Sequence, residues 1–147
     1  MPDESPVNPL PRSAAPAERD DELVLLTQKV LDAIAAGDWE TYAELCDPAV
    51  TCFEPESRGV LVEGLEFHQF YFRGRREVGT GGSMQATMIS PRVQRLGADV
   101  AVVTYVRLIQ TRDAGGGFVA SRAEETRVWH RREGGWRLVH LHRSATP

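Results

Sequence analysis

The chain has 147 residues, 41% hydrophobic and 26% charged, with a formal net charge of -4. That size suits one domain with a packed core, and the acidic balance excludes a general nucleic-acid binder, which carries a basic excess. No apolar run reaches the length of a membrane span, and the N-terminus lacks the basic-then-apolar order of a secretory signal, so a cytoplasmic protein is expected.

Residues 1–20 hold Pro2, Pro6, Pro9, Pro11 and Pro16 with few apolar side chains. Asp3, Glu4, Glu18, Asp20 and Asp21 outnumber Arg12 and Arg19. Such a segment buries too little surface to offset its ordering entropy, so an acidic, Pro-rich disordered tail is expected, followed by a single domain over 21–147. Asp20 or Asp21 offers an N-cap for a first helix. Leu23, Val24, Leu26, Val30, Leu31 and Ile34 form its apolar stripe, and Gly37 is a C-terminal stop.

Asp38 can cap a short second helix carrying Trp39, Tyr42 and Leu45. Asp47-Pro48 is expected to end it, because proline disfavours helix at the preceding residue. A short strand is predicted over Val50 to Phe53, and a turn from Gly59 to Gly64. A third helix starting near Glu63 should carry Phe67, Phe70 and Tyr71 on one face. Residues 74–83, with four glycines, read as a loop.

From there the apolar period becomes two. Strands are predicted over 84–96, 99–112, 118–132 and 136–143, with short Gly-bearing breaks that suit an antiparallel meander. Helices first and then consecutive strands indicate an α+β architecture. A curved antiparallel sheet over N-terminal helices makes a cone whose concave face can hold a pocket.

Alternation then places arginines among apolar neighbours. Val103, Tyr105, Arg107 and Ile109 share one face. Glu125, Arg127 and Trp129 share another. Val139, Leu141 and Arg143 share a third. A buried guanidinium needs a partner. Internal carboxylates (Glu54, Glu56, Glu124, Glu125) are one source, and a bound carboxylate held bidentately is the other. Of the 17 basic residues only Lys29 is a lysine, a bias that genome composition alone can produce. Cys46 and Cys52 lack the spacing of a disulfide framework or a metal site, so no metal and no cofactor are expected. His68 and Tyr42 are weak candidates for acid–base work. No GxSxG, nucleotide-binding glycine or HExxH motif supports catalysis. The aromatic residues read mostly as core, and the run from Phe67 to Phe72, apolar over more than one helix face, is a candidate contact surface.

Several segments together resemble the association (hub) domain of calcium/calmodulin-dependent protein kinase II. They include Asp38-Trp39-Glu40-Thr41-Tyr42, Phe53-Glu54-Pro55-Glu56, Phe67-His68-Gln69-Phe70-Tyr71-Phe72, Glu124 through Arg132, and Val139-His140-Leu141-His142-Arg143-Ser144. The resemblance covers Glu22 to Pro147. It implies the cone-shaped nuclear-transport-factor-2-like (cystatin-like) fold. It implies dimers stacked into ring-like homo-oligomers, so the expected partner is the chain itself. It also implies a pocket in which Arg107, Arg127 and Arg143, with His68 nearby, hold a small carboxylate. The sequence leaves no room for a kinase domain. No basic calmodulin-binding segment precedes the domain, so a stand-alone oligomerisation module is expected. The 74–83 segment is richer in arginine and glycine than the family pattern. The same superfamily resembles isomerases, dehydratases and polyketide cyclases, so a small-molecule enzyme using His68 or Tyr42 is the alternative.

Overall fold

Three helices and a six-stranded sheet build the domain, seen in a computed structural model that describes residues 21–77 and 84–144. The expected tail (1–20) and the last six residues of the expected loop (78–83) lie outside the described residues. The helices are α1 (Glu22–Ala36), α2 (Trp39–Leu45) and α3 (Glu66–Glu77). The strands are β1 (Cys46–Phe53), β2 (Val62–Glu63), β3 (Gln85–Arg95), β4 (Val100–Arg112), β5 (Phe118–Arg132) and β6 (Gly135–Arg143). The sheet order is β2-β1-β6-β5-β4-β3. All neighbours are antiparallel except β1 and β6, which run parallel. The α+β class and the curved, largely antiparallel sheet agree with the sequence reading; the one parallel pair does not.

The caps fall where side-chain chemistry puts them. Asp21 accepts from the Leu23 amide at 2.9 Å, and Asp38 accepts from the Thr41 amide at 3.2 Å. Gly37 ends α1 at φ 68°, a left-handed angle that suits glycine. Between them the α1 stripe buries Leu23, Val24, Val30 and Leu31. Thr27 is buried with them because its hydroxyl accepts from the Trp129 indole N–H at 3.2 Å.

Three local expectations are corrected. β1 begins at Cys46, not Val50. Asp47-Pro48 does stop α2, but the chain passes directly into a strand, with an irregular register between Cys46 and Thr51. Glu63 lies in β2, and α3 starts at Glu66 and runs through Gly74 to Glu77, so helix replaces the first four residues of the predicted loop. Among its described side chains, His68 and Phe72, four residues apart, are buried, while Phe70 is 75% exposed. Of the predicted apolar face of Phe67, Phe70 and Tyr71, Phe67 is half-buried and Phe70 points to solvent, and the Tyr71 side chain lies outside the described residues. His68 and Phe72 face inward because both rings pack on Tyr42 of α2.

The sheet has two unlike faces. Ala101, Val103, Tyr105 and Arg107 of β4 and Ala123, Glu125, Arg127 and Trp129 of β5 point inward and are buried. Trp129 packs with Leu23, Val30, Leu31 and Leu138 in the core beneath α1. On β6 the register slips between Val128 and Trp129: Val128 pairs with His140, but Trp129 pairs with Leu138. Val139 is therefore the bulged residue. It is half-exposed, and the inward set on β6 is Trp136, Leu138, Leu141 and Arg143. Simple alternation had put Val139 inward. The bulge is what lets Leu138 and Leu141, three residues apart, both face the core.

Candidate functional site

Beyond the core, at the end of the inward face, lies a cavity of about 260 Å³. β4 contributes Arg107 and Ile109, β5 contributes Glu125 and Arg127, and β6 contributes Leu141 and Arg143. The helices contribute Ile34, Tyr42, His68 and Phe72, and the turn after β1 contributes Glu54 and Glu56. The register explains the opening. Arg107 stands opposite Ala123, Tyr105 opposite Glu125, and Glu125 opposite Arg143. These pairings bring long polar side chains of three neighbouring strands to the same end of the inward face.

Arg127 is 1% exposed and lies deepest among the charged groups. Its Nε donates to the Tyr105 hydroxyl at 2.7 Å, and its Nη2 donates to Glu125 Oε1 at 3.3 Å. Arg107 Nη1 reaches the same carboxylate oxygen at 3.5 Å. Arg143 pairs with Glu56 at 2.6 Å nearer the surface. Internal acids, two of the four named from the sequence, thus neutralise much of the positive charge. Hydrogen bonding is less complete. Arg107 Nε, Arg127 Nη1 and Glu125 Oε2 are buried and lack partners, and an unmet polar group in such a place costs about 1–3 kcal/mol.

His68 sits on the helical wall. Its Nδ1 lies 2.7 Å from the Tyr42 hydroxyl and its Nε2 lies 3.4 Å from the Cys52 sulfur. The assignment that uses the stronger donors has Tyr42 O–H donating to Nδ1 and Nε2–H facing the sulfur. Burial, aided by the Arg127 charge, lowers the His68 pKa to about 4, so the ring is neutral at pH 7. Burial also raises Tyr42 well above its ordinary value and lifts the thiols of Cys46 and Cys52 to about 11 and about 12. Both thiols stay protonated and poorly nucleophilic at neutral pH. The ring nitrogens of His68 and the hydroxyl of Tyr42 are occupied by one another and by Cys52. The two groups offered as acid–base candidates therefore hold the wall together and present no free base to the cavity.

The structure brings all three sequence-selected arginines and His68 around one space. Two contributions were not anticipated: the Tyr105 hydroxyl as the partner of Arg127, and Ile34 with Phe72 as apolar lining. Tyr105 was legible in principle, since it shares the inward face with Arg107. The other two required knowing how the helices cross the sheet. Among the described residues no group of three or more His, Cys, Asp and Glu is placed to hold a metal ion, and no helix is long and apolar enough to cross a membrane.

Residues 19–147 match the family model of the calcium/calmodulin dependent protein kinase II association domain. The chain belongs to that family. Over 126 residues, 86% of this chain, it is 46% identical to the type II kinase of Caenorhabditis elegans. Over 129 residues, 88% of this chain, it is 43% identical to the type II delta subunit of Oryctolagus cuniculus. These matches span 17% and 24% of the relatives' own lengths, so this association domain aligns with about a fifth of a whole kinase. The solved hub homology domain of Chlamydomonas reinhardtii superposes with a TM-score of 0.80 at 48% identity, covering 86% of this chain and 97% of that one. A nuclear transport factor 2-like superfamily protein from Salmonella enterica, at 20% identity and a TM-score of 0.69, shares the fold.

Proposed function

We propose that this association domain assembles with copies of itself into a closed, ring-like homo-oligomer, and that its arginine-lined cavity holds a small carboxylate. The observation that carries the first part is the outward face of the sheet. An antiparallel sheet with one wet face normally alternates apolar-in with polar-out. Here the outward positions include Ile89, Val102, Val106, Leu108, Thr126 and Val128, all half-exposed. A β-branched apolar surface of that kind marks a contact site. Phe53 is exposed on the same outward face, where it pairs with His142. Membership of an association-domain family supports the same reading, and closed symmetry is the common way for like chains to satisfy such faces.

The second part rests on Arg107 and Arg127, which both line the cavity and each keep one buried nitrogen, Nε and Nη1, without a partner. A planar carboxylate fits such donors and gains charge-assisted bonds. Native mass spectrometry at micromolar concentration tests the assembly; a monomer there ends that reading. Thermal shift with short carboxylates tests the cavity. A ligand at 100 times its dissociation constant should stabilise the protein by about 2.7 kcal/mol. No shift with any short carboxylate ends the second reading and leaves the first standing.

A further inference from the structure

Three of the chain's four histidines stand together on the outward face of the sheet. His140 lies between Val128 of β5 and Thr51 of β1. His142, two residues along β6, lies between Thr126 and Phe53. His130 is two residues along β5 from Val128, between Val100 and Arg137. The three imidazoles therefore border Val128 on the strand side away from Val102 and along its own strand. His140 Nδ1 lies 2.7 Å from Thr51 Oγ1, and the Phe53 ring packs near both His140 and His142, at 6.1 and 5.6 Å between centroids. His130 Nδ1 accepts from Arg132 Nε at 3.3 Å, which requires that nitrogen to carry no proton.

We infer that assembly through this face is gated by pH: the histidines around Val128 let copies of the chain close over it at neutral pH and separate them in acid. This regulates the assembly proposed above and rests on it. A contact that covers Val128 takes the bordering imidazoles out of water, and burial disfavours their charged form. Histidine ordinarily changes charge between about pH 5 and 8. The separated chain therefore binds protons more readily than the assembled one, and the contact weakens as pH falls. The fixed charges of the face act in the same direction. His130 already stands beside Arg132, which also pairs with Asp47 of β1, and opposite Arg137. Burial and then His142 lower the His140 pKa below its ordinary value, although the Thr51 contact opposes them. Arg92 of β3, opposite Thr104, and Arg122 of β5, opposite Leu108, add positive charge farther out. The acids of the face stand toward its margins. Glu63 of β2 lies across Thr51 from His140, and Glu124 of β5 lies opposite Val106, diagonal to His142. Among the described residues neither acid forms an ion pair with a histidine.

The test is native mass spectrometry and sedimentation of the whole chain at pH 7.5 and pH 5.5, with circular dichroism beside them. The dissociation constant of the assembly should rise by about tenfold or more between the two, since each proton taken up on separation contributes up to tenfold per pH unit. The circular dichroism should stay that of the folded chain. The variant carrying His130→Gln, His140→Gln and His142→Gln cannot gain these charges, and its constant should change by less than about threefold. A smaller rise in the parent chain overturns the gate and leaves the assembly reading intact. So does a rise as large in the variant, or separation that comes only with loss of the folded signal. A monomer at pH 7.5 overturns both readings. Should the triple variant not assemble at pH 7.5, His142→Gln, at an exposed side chain, is compared instead, and a rise equal to that of the parent overturns the gate.

Discussion

His68 shows how one residue is assigned by its surroundings. In sequence it is a histidine in an aromatic helix, open to an acid–base role. In the fold both ring nitrogens are engaged and the pKa is lowered to about 4 from 6.5. The unfolded chain therefore binds more protons than the folded one between those values. Stability falls as pH drops through that window and levels off below it. The full contribution is about 3 kcal/mol, at about 1.4 kcal/mol for each pH unit of displacement. His68→Gln keeps a polar partner for Tyr42 and cannot gain the charge. Urea unfolding at pH 7 and pH 4 should show the variant losing about 2–3 kcal/mol less than the parent chain. Equal losses would show that His68 does not titrate in this way.

At the scale of elements, the bulge at Val139 decides the site. Leu141 and Arg143 face the cavity because one extra residue on β6 reverses the parity set by Trp136 and Leu138. Deleting Val139 would remove the bulge and restore strict alternation, with Trp136, Leu138, Leu141 and Arg143 all still facing inward. Thermal melts should show that the deletion keeps a cooperative transition, as Val139→Thr does. Loss of that transition on deletion would show that the bulge itself, and not only the inward set, is needed for the fold. The arginine alternation was legible on β4 and β5, where pairing is regular over the whole length. It was legible on β6 only for the segment beyond the bulge, because a bulge leaves no mark in a two-residue period. Helix α3 failed in the opposite direction. Its glycine and arginine content suggested a loop, and its aromatic run did not show that Phe70 points to solvent while His68 and Phe72 are buried. The packing of Tyr42 against His68 and Phe72 chose the face instead.

For the whole molecule, the proposed assembly and the proposed pocket would use different faces of one sheet. The inward face carries the core and the cavity, and the outward face carries Val102, Val106 and Val128. A charge on the outward face should therefore separate the two properties. Val128 lies between Val102 and His140 in the ladder, far from any inward side chain. Val128→Glu should shift native mass spectra toward smaller species, because an unpaired charge in a contact core costs several kcal/mol. Its circular dichroism and its response to cavity ligands should match those of the parent chain. An unchanged oligomer would place the contact surface elsewhere.

Composition, periodicity and cap chemistry were enough to determine the class of fold, most element positions, the family resemblance and the inward parity of Arg107 and Arg127, since each depends on near neighbours along the chain. The charge balance of the cavity, the engagement of His68 and the sharing of Glu125 were decided only by the tertiary structure. Those depend on distances between side chains far apart in sequence, set by strand register and helix crossing. An arginine's place in a period says that it turns inward; which carboxylate it meets there is settled by residues dozens of positions away.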